Sequence, residues 1–375
     1  MSIVDLKKYR LVFVGPADGQ TAVGDYSEDL LHHLQPYFGE IVQRRTLGPG
    51  GETARSVWQH RKAVAEHVAV GPPGRVLVHA ELAAGGIAPF WSTVGLGKVP
   101  VTATVHDPPQ GIWWPARTKY LAGHRLLMHG LHYPLRPVSR AIEGAANGRR
   151  TIFALSEIGR LSIEMTFPKT KTVYIPYLVR ERPVIKPAHL RPKAIGFFGF
   201  VYRGKGFEQI ARIRKELPDD ILIRVAGRGT EMLPQADGVE IVGPVDGAQE
   251  DAFFESVRAI VIPYGKRHFY ADTYPASSVA AHAFAYRTPI VCTGYGSLAE
   301  FDEQTGAVVV PMFGADPRAL PAGFSAEITA LVNDDARVAQ LGENADRTRQ
   351  ERSAARTAAA YAAVWSNMLA NPADP

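Results

Sequence analysis

Ile195-Gly-Phe-Phe-Gly-Phe-Val-Tyr-Arg203-Gly-Lys205-Gly-Phe-Glu-Gln-Ile-Ala-Arg-Ile213 is the stretch on which the fold turns. Its first six residues are apolar or glycine, the composition of a strand buried on both faces. From Gly206 the period changes: Phe207, Ile210, Ala211, Arg214 and Leu217 share one helical face, mostly apolar. Between strand and helix stands Tyr202-Arg-Gly-Lys205, a glycine-containing turn with two cations at a helix N-terminus. Backbone N–H groups, the helix dipole and the two cations together make an anion site, best suited to phosphate. The same spacing fits an ordinary strand–turn–helix with Arg203 and Lys205 in water, and a glycine pattern alone does not separate the two.

Downstream the rhythm repeats. Ile221-Leu-Ile-Arg-Val-Ala-Gly227, Val239-Glu-Ile-Val-Gly243, Ala259-Ile-Val-Ile-Pro-Tyr264, Pro289-Ile-Val-Cys-Thr293 and Ala307-Val-Val-Val310 read as strands, and an alanine-rich helix runs from Ala276 to Tyr286. Upstream, Arg10-Leu-Val-Phe-Val-Gly15, Glu40-Ile-Val-Gln, Arg75-Val-Leu-Val-His79, Val99–Val105, Thr151–Leu155 and Thr172–Pro176 do the same, with helices between them. This alternation predicts an α/β protein of two Rossmann-like parallel-sheet domains facing a central cleft. The expected bounds are 1–180 for the N-terminal domain, 181–193 for a linker and 194–353 for the C-terminal domain. A last helix, about 354–370, has Tyr361, Val364, Trp365 and Met368 as its apolar stripe and is expected to pack back on the N-terminal domain. The linker rests on the stretch Leu178–Lys193, which has Pro183, Pro187 and Pro192 with five cations and no period.

The 375 residues suffice for two cores, and 46% hydrophobic with 21% charged residues describes a globular chain. The polar start, Met1–Arg10, predicts no signal peptide, and no apolar run reaches the roughly 18 residues of a membrane span. One cysteine, Cys292, in an apolar run, fits a buried thiol in a reducing, cytoplasmic setting. A formal charge of +5 suggests anionic partners. From Gln110 to Arg150 seven cations stand against one acid, Glu143, with Trp113, Trp114, Tyr120 and Tyr133 interleaved. That composition suits an anionic membrane surface or a lipid-linked acceptor, and it equally suits a solvated lid whose tryptophans pack inward. No nucleic-acid motif accompanies it.

Two loops of the N-terminal half carry chemistry. Pro16–Tyr26, with Gly19 and Gly24, follows the first strand and opens a helix where α/β sheets bind ligands, but its glycine spacing is not a dinucleotide fingerprint. His106 and Asp107 stand at the carboxyl end of a parallel strand, facing the ligand crevice, although a loop histidine held by local hydrogen bonds reads the same way.

Taken in order, Gly199–Gly206, Val225-Ala-Gly227-Arg-Gly229, Ile241-Val-Gly243-Pro-Val and Arg287-Thr-Pro-Ile-Val291 resemble the nucleotide-sugar domain of GT-B glycosyltransferases, most closely the retaining family 4. The loop ending in Gly24, Val105-His-Asp107 and Ile175-Pro176 fit the same family, so the resemblance covers nearly the whole chain. It implies that Lys205, helped by Arg203, neutralises the donor diphosphate and that His106 contacts the transferred sugar. It places Gly24 and Gly199 by the donor phosphates or sugar, Gly227 and Gly243 by the base, and Ser277 and Ser278 at phosphate. Asp107, Trp113 and Trp114 fall on the acceptor side. The family's two glutamates, eight residues apart, fall here on Tyr274 and His282. Ribose recognition would then pass to Asp272 or Glu300, with His282 in the donor site.

The expected activity is metal-independent transfer of a hexosyl group, with retention, from a nucleoside diphosphate sugar (UDP by frequency) to a glycan or lipid-linked acceptor. No Asp-x-Asp motif or cluster of metal-ligand spacing appears, and no cofactor is expected. Membrane contact would be peripheral, at the inner face. Two alternatives stand beside this: another enzyme on the same fold, an epimerase or a phosphorylase, the latter lacking a pyridoxal-lysine pattern; and a non-catalytic sugar-nucleotide-binding protein that lost turnover with the glutamate pair.

Overall fold

The apolar runs of the N-terminal half become six parallel strands: β1 (Arg10–Pro16), β2 (Glu40–Thr46), β3 (Val76–Leu82), β4 (Val101–Val105), β5 (Thr151–Ala154) and β6 (Lys171–Tyr174), in the order β2-β1-β3-β4-β5-β6. The computed structural model describes residues 4–109, 117–266, 272–312, 316 and 319–371. It divides into two units, unit 1 comprising Met1–Leu178, Thr273–Ala276 and Ala354–Pro375, and unit 2 comprising Val179–Asp272 and Ser277–Ser353.

In unit 1 the central strand β3 is buried at every position, while the edge strands β2 and β6 are mostly half-exposed, as expected when helices cover both faces of a parallel sheet. The helix Ala22–Leu34 is capped by Thr21, whose hydroxyl accepts from the Gly24 N–H, and it sends Tyr26, Leu30, Leu31 and Leu34 into the core. The C-terminal helix Ala354–Ala370 belongs to the same core through Tyr361 and Trp365, both fully buried. Strand order reverses between β1 and β3, so the ligand crevice of this sheet lies where Gly15 and Glu81 leave it.

Unit 2 repeats the plan with β7 (Ala194–Phe198), β8 (Leu222–Ala226), β9 (Val239–Gly243), β10 (Ala259–Ile262), β11 (Ile290–Thr293) and β12 (Ala307–Val310), ordered β12-β11-β10-β7-β8-β9. Its reversal falls between β7 and β10. The opening sequence stretch is therefore the strand and exit loop beside the crevice. The helix expected from Gly206 is shorter than its apolar period suggested: Phe207–Gln209 is a 3-10 turn and the α-helix covers only Ile210–Glu216. Its far end is set by Leu217-Pro218, since proline disfavours helical backbone in the residue before it.

The proline-rich 181–193 segment lies within unit 2, pinned by Arg191. Its buried guanidinium donates to the carbonyls of Lys186 (2.6 Å), Phe254 (3.0 Å), Val257 (3.3 Å) and Tyr286 (3.1 Å) and to Thr288 Oγ1 (2.8 Å). Burial draws its pKa down to about 10, so it stays charged at neutral pH. Arg191→Met strands those acceptors without water, and a loss of about 3 kcal/mol or more is expected. Urea unfolding followed by circular dichroism checks this; an unchanged midpoint overturns it.

Candidate active site

At the end of unit 2's sheet three glycine turns run edge to edge. Gly199, Gly227 and Gly243 have φ of +112°, +130° and +87°. A Cβ on Gly227 would stand 2.0 Å from the Gly199 carbonyl oxygen, so only glycine lets the two exit loops touch. Gly199 N–H donates to Ala226 O (3.0 Å), Gly227 N–H to Gly243 O (2.8 Å) and Val201 N–H to Arg228 O (3.1 Å). The Gly199 and Gly227 amides are thus spent on spacing the loops. What the glycines supply is a side-chain-free ledge against which a flat group can lie.

Next to the ledge, in the β7/β10 crevice, Gly206 (φ +79°) brings the 202–206 turn against Pro263; a Cβ there would meet the Pro263 carbonyl oxygen at 2.3 Å. Gly265 N–H donates to Gly204 O at 3.1 Å. Held this way, the Lys205 ammonium donates to Tyr264 OH and lies 4.1 Å from the Tyr264 ring centre and 5.3 Å from that of Tyr202. Ser277 caps the helix Ser278–Ala285 by accepting from Ala280 N–H (3.2 Å), and its own hydroxyl donates to Tyr264 OH (3.3 Å). Burial pushes the Tyr264 phenol up, so it stays protonated. Its oxygen accepts from Lys205 and Ser277, which directs its own O–H elsewhere. A cavity of about 170 Å³ opens here, lined by Tyr264, Arg203, Lys266 and Glu208 among others. Lys266 also pairs with Asp272 at 2.9 Å. Two cations on the wall and a third one tyrosine away make a place for an anion.

His282 lies on the helix Ser278–Ala285 with its ring 5.0 Å from that of Phe198. Its Nδ1 is 2.8 Å from Glu250 Oε1, and Arg182 donates to Glu250 Oε2 at 3.0 Å. Burial raises the Glu250 carboxyl, but the hydrogen bond and charge of His282, with Arg182, hold it below the usual range. A buried carboxylate therefore stands beside the position where the resembled family has one, reached through His282. Ser278 opens that helix half-buried, and Glu300 closes the 3-10 segment Gly296–Glu300 after β11. Cys292 is buried and its thiol pushed well up by burial, an inert core group.

In unit 1 a buried polar network runs along one face of β3 and β4 beneath the C-terminal helix, with Glu81 reaching Gly15 of β1. Glu81, at the end of β3 and without exposure, accepts from His106 Nε2 (2.6 Å) and His79 Nε2 (3.0 Å). An ionised carboxylate only accepts, so both imidazoles present N–H at Nε2. His79 Nδ1 is 2.8 Å from Thr102 Oγ1, which accepts from Trp365 Nε1 at 3.1 Å. Thr104 Oγ1 bonds Tyr361 OH (2.9 Å), which is 3.3 Å from Tyr26 OH, and the Tyr26 ring meets the His106 ring edge-on at 5.0 Å. The C-terminal helix thus helps fix the orientation of His106. Burial pushes the Glu81 carboxyl up, but the two histidines outweigh it and hold it at about 2. Because that value lies below the ordinary 4.5, its stabilisation is present above about pH 4.5 and lost as pH falls towards 2. Unfolding free energy measured against pH should show this slope in the native protein and a flatter one in Glu81→Gln. Equal slopes would refute the assignment.

Gly24 is required for packing, since a Cβ would sit 2.1 Å from the Ala17 carbonyl oxygen, and its N–H is taken by Thr21. Asp107 Oδ2 accepts from Ala84 N–H at 3.0 Å, bracing the loop after β3. Trp113 and Trp114 lie outside the described residues. Sequence reasoning missed Glu81, His79 and Tyr264. Two ionisable residues in an otherwise apolar strand, Val76-Leu-Val-His-Ala-Glu-Leu82, were the available signal for the first pair.

No protein-family model matches the chain, and no curated protein matches it in sequence. Solved structures do match. The Anabaena protein Alr3699/HepE, crystallised in complex with UDP, aligns with a TM-score of 0.64 at 11% identity over 96% of this chain and 100% of that one. WaaG, a glycosyltransferase involved in lipopolysaccharide biosynthesis, aligns with a TM-score of 0.59 at 11% identity, covering 94% and 99%. AviGT4, a glycosyltransferase involved in avilamycin A biosynthesis, gives 0.57 at 14% identity, covering 96% and 98%. With two parallel six-stranded sheets, each covered by helices, the chain has the GT-B fold of these glycosyltransferases.

Proposed function

We propose that the protein is a retaining glycosyltransferase of the family 4 type that moves a hexosyl group from a nucleoside diphosphate sugar to a glycan or lipid-linked acceptor. The observation that carries this reading is the grouping of Arg203, Lys205 and Lys266 around Tyr264 and Ser277 at the β7/β10 crevice. Breaking the bond between an anomeric carbon and a diphosphate leaves extra negative charge on the phosphates. Fixed cations, a phenol O–H and a capped helix N-terminus stabilise that charge in the transition state without reorganising. These groups take the part a metal would otherwise play, so transfer is proposed to be metal-independent, with no cofactor. UDP is the proposed nucleotide, supported by the UDP complex of a protein of like fold. In unit 1, His106 acts on the sugar, held by Glu81. Retention follows from the family resemblance. The proposed setting is cytoplasmic, with peripheral contact at an anionic membrane.

A thermal-shift screen of UDP-, GDP-, ADP- and dTDP-sugars tests the donor, because a ligand of the folded state raises apparent stability by mass action. A shift with one nucleotide series, followed by nucleotide release with acceptor, is expected; no shift with any removes the reading. His282 in place of a glutamate favours one second reading, a sugar-nucleotide-binding protein without turnover. It would bind donor yet release no nucleotide. Isomerised donor without acceptor would identify an epimerase instead.

A further inference from the structure

The helix Arg125–Asn147 exposes an apolar face. Its 23 residues span about 34 Å, and at 100° per residue Leu126, Leu127, Leu131, Pro134, Val138 and Ala141 fall on one stripe. That stripe faces solvent: Leu126 is 90% exposed and Leu127, Leu131 and Val138 between 38% and 46%. The other side buries the polar residues His132, Ser139, Glu143 and Asn147 together with Met128. A surface helix ordinarily does the reverse, so this apolar face is built to meet something other than water.

Charge says what that is. Glu143, the only acid between Arg117 and Arg150, is buried, while Lys119, Arg140 and Arg149 are exposed and Arg136 is half-exposed. The exposed charged side chains that this segment itself brings beside the stripe are thus cations, which complements a surface that is anionic above and hydrocarbon below. Two copies of this face would instead bring like charges together. No helix among the described residues is long and apolar enough to cross a membrane, so the contact is in the plane of the surface. We propose that the Leu126–Leu127–Leu131–Val138 face of this helix docks in the headgroup boundary of an anionic lipid membrane. This gives the proposed peripheral membrane contact its face; no residue of the face belongs to the donor site and the test below contains no nucleotide sugar, so a failure here leaves the donor reading standing.

Co-sedimentation of the whole protein with vesicles of equal parts phosphatidylcholine and phosphatidylglycerol, against pure phosphatidylcholine, is the test. Binding to the anionic vesicles alone, weakened by salt, is expected. The pair Leu126→Glu and Leu131→Glu should lower that binding about tenfold or more with an unchanged melting curve, the side chains being exposed. Arg140→Glu with Arg149→Glu, both exposed, should lower it while leaving the apolar stripe intact. Absence of binding, or binding undiminished in both double variants, overturns the proposal. So does a lipid-free oligomer that Leu126→Glu and Leu131→Glu dissociates, which would give the face to a second copy of this chain.

Discussion

Lys205→Ala is expected to weaken binding of UDP about ten- to hundredfold and to slow transfer by roughly 10²–10³. The first figure is the range for losing one charge-assisted hydrogen bond to phosphate. The second is larger because charge on the leaving diphosphate grows as the anomeric bond breaks, so a fixed cation is worth more in the transition state. The fold should survive. Lys205 is only partly buried, Ser277 still donates to Tyr264 OH in its absence, and the turn is set by Gly204 and Gly206, not by the side chain. Lys205→Arg should not restore full activity, since the planar guanidinium cannot occupy the ammonium's place over the Tyr264 ring with the same contacts. Arg203→Ala, at an exposed position on the cavity wall, should cost less than Lys205→Ala. Calorimetric titration with UDP decides: unchanged affinity in Lys205→Ala takes Lys205 out of the donor site.

Much of this was legible from residue order, for physical reasons that differ between elements. Strands buried on both faces announce themselves as continuous apolar runs, so β1, β7 and β10 were each recognisable, and a turn that needs Gly199 or Gly227 at positive φ cannot hide its glycine. Network residues were harder to see. The strand read as Arg75–His79 continues to Leu82, because two imidazoles hold the Glu81 carboxylate inside the sheet. Glu250 was invisible as the partner of His282, from which it is separated by 32 residues. The helix Arg125–Asn147 escaped notice as a helix since Pro134 and Pro137 interrupt it and its apolar face points the unexpected way. Periodicity reports which residues share a face. It does not report which face meets water.

The second large effect is expected at His106. His106→Ala should reduce turnover about hundredfold while changing nucleotide affinity little, the signature of an interaction made with the reacting sugar and not with the nucleotide. Glu81→Gln sharpens the test because it keeps shape and burial while removing the charge. A glutamine offers one acceptor oxygen and one donor NH₂ where the carboxylate offered two acceptors, yet His106 and His79 both bring an N–H to it. One imidazole must therefore change tautomer or turn away, and His106, the less buried of the two, has the freedom to do so. Its Nδ1 would then carry the proton and be unable to accept one from a substrate hydroxyl. Turnover in Glu81→Gln should fall about tenfold or more, with KM for the donor nearly unchanged. A merely structural role for Glu81 predicts a different pattern: a lower melting temperature with full turnover per folded molecule. If Glu81→Gln behaves that way, and His106→Ala turns over like the native protein, the unit 1 network is core architecture and the chemistry lies elsewhere.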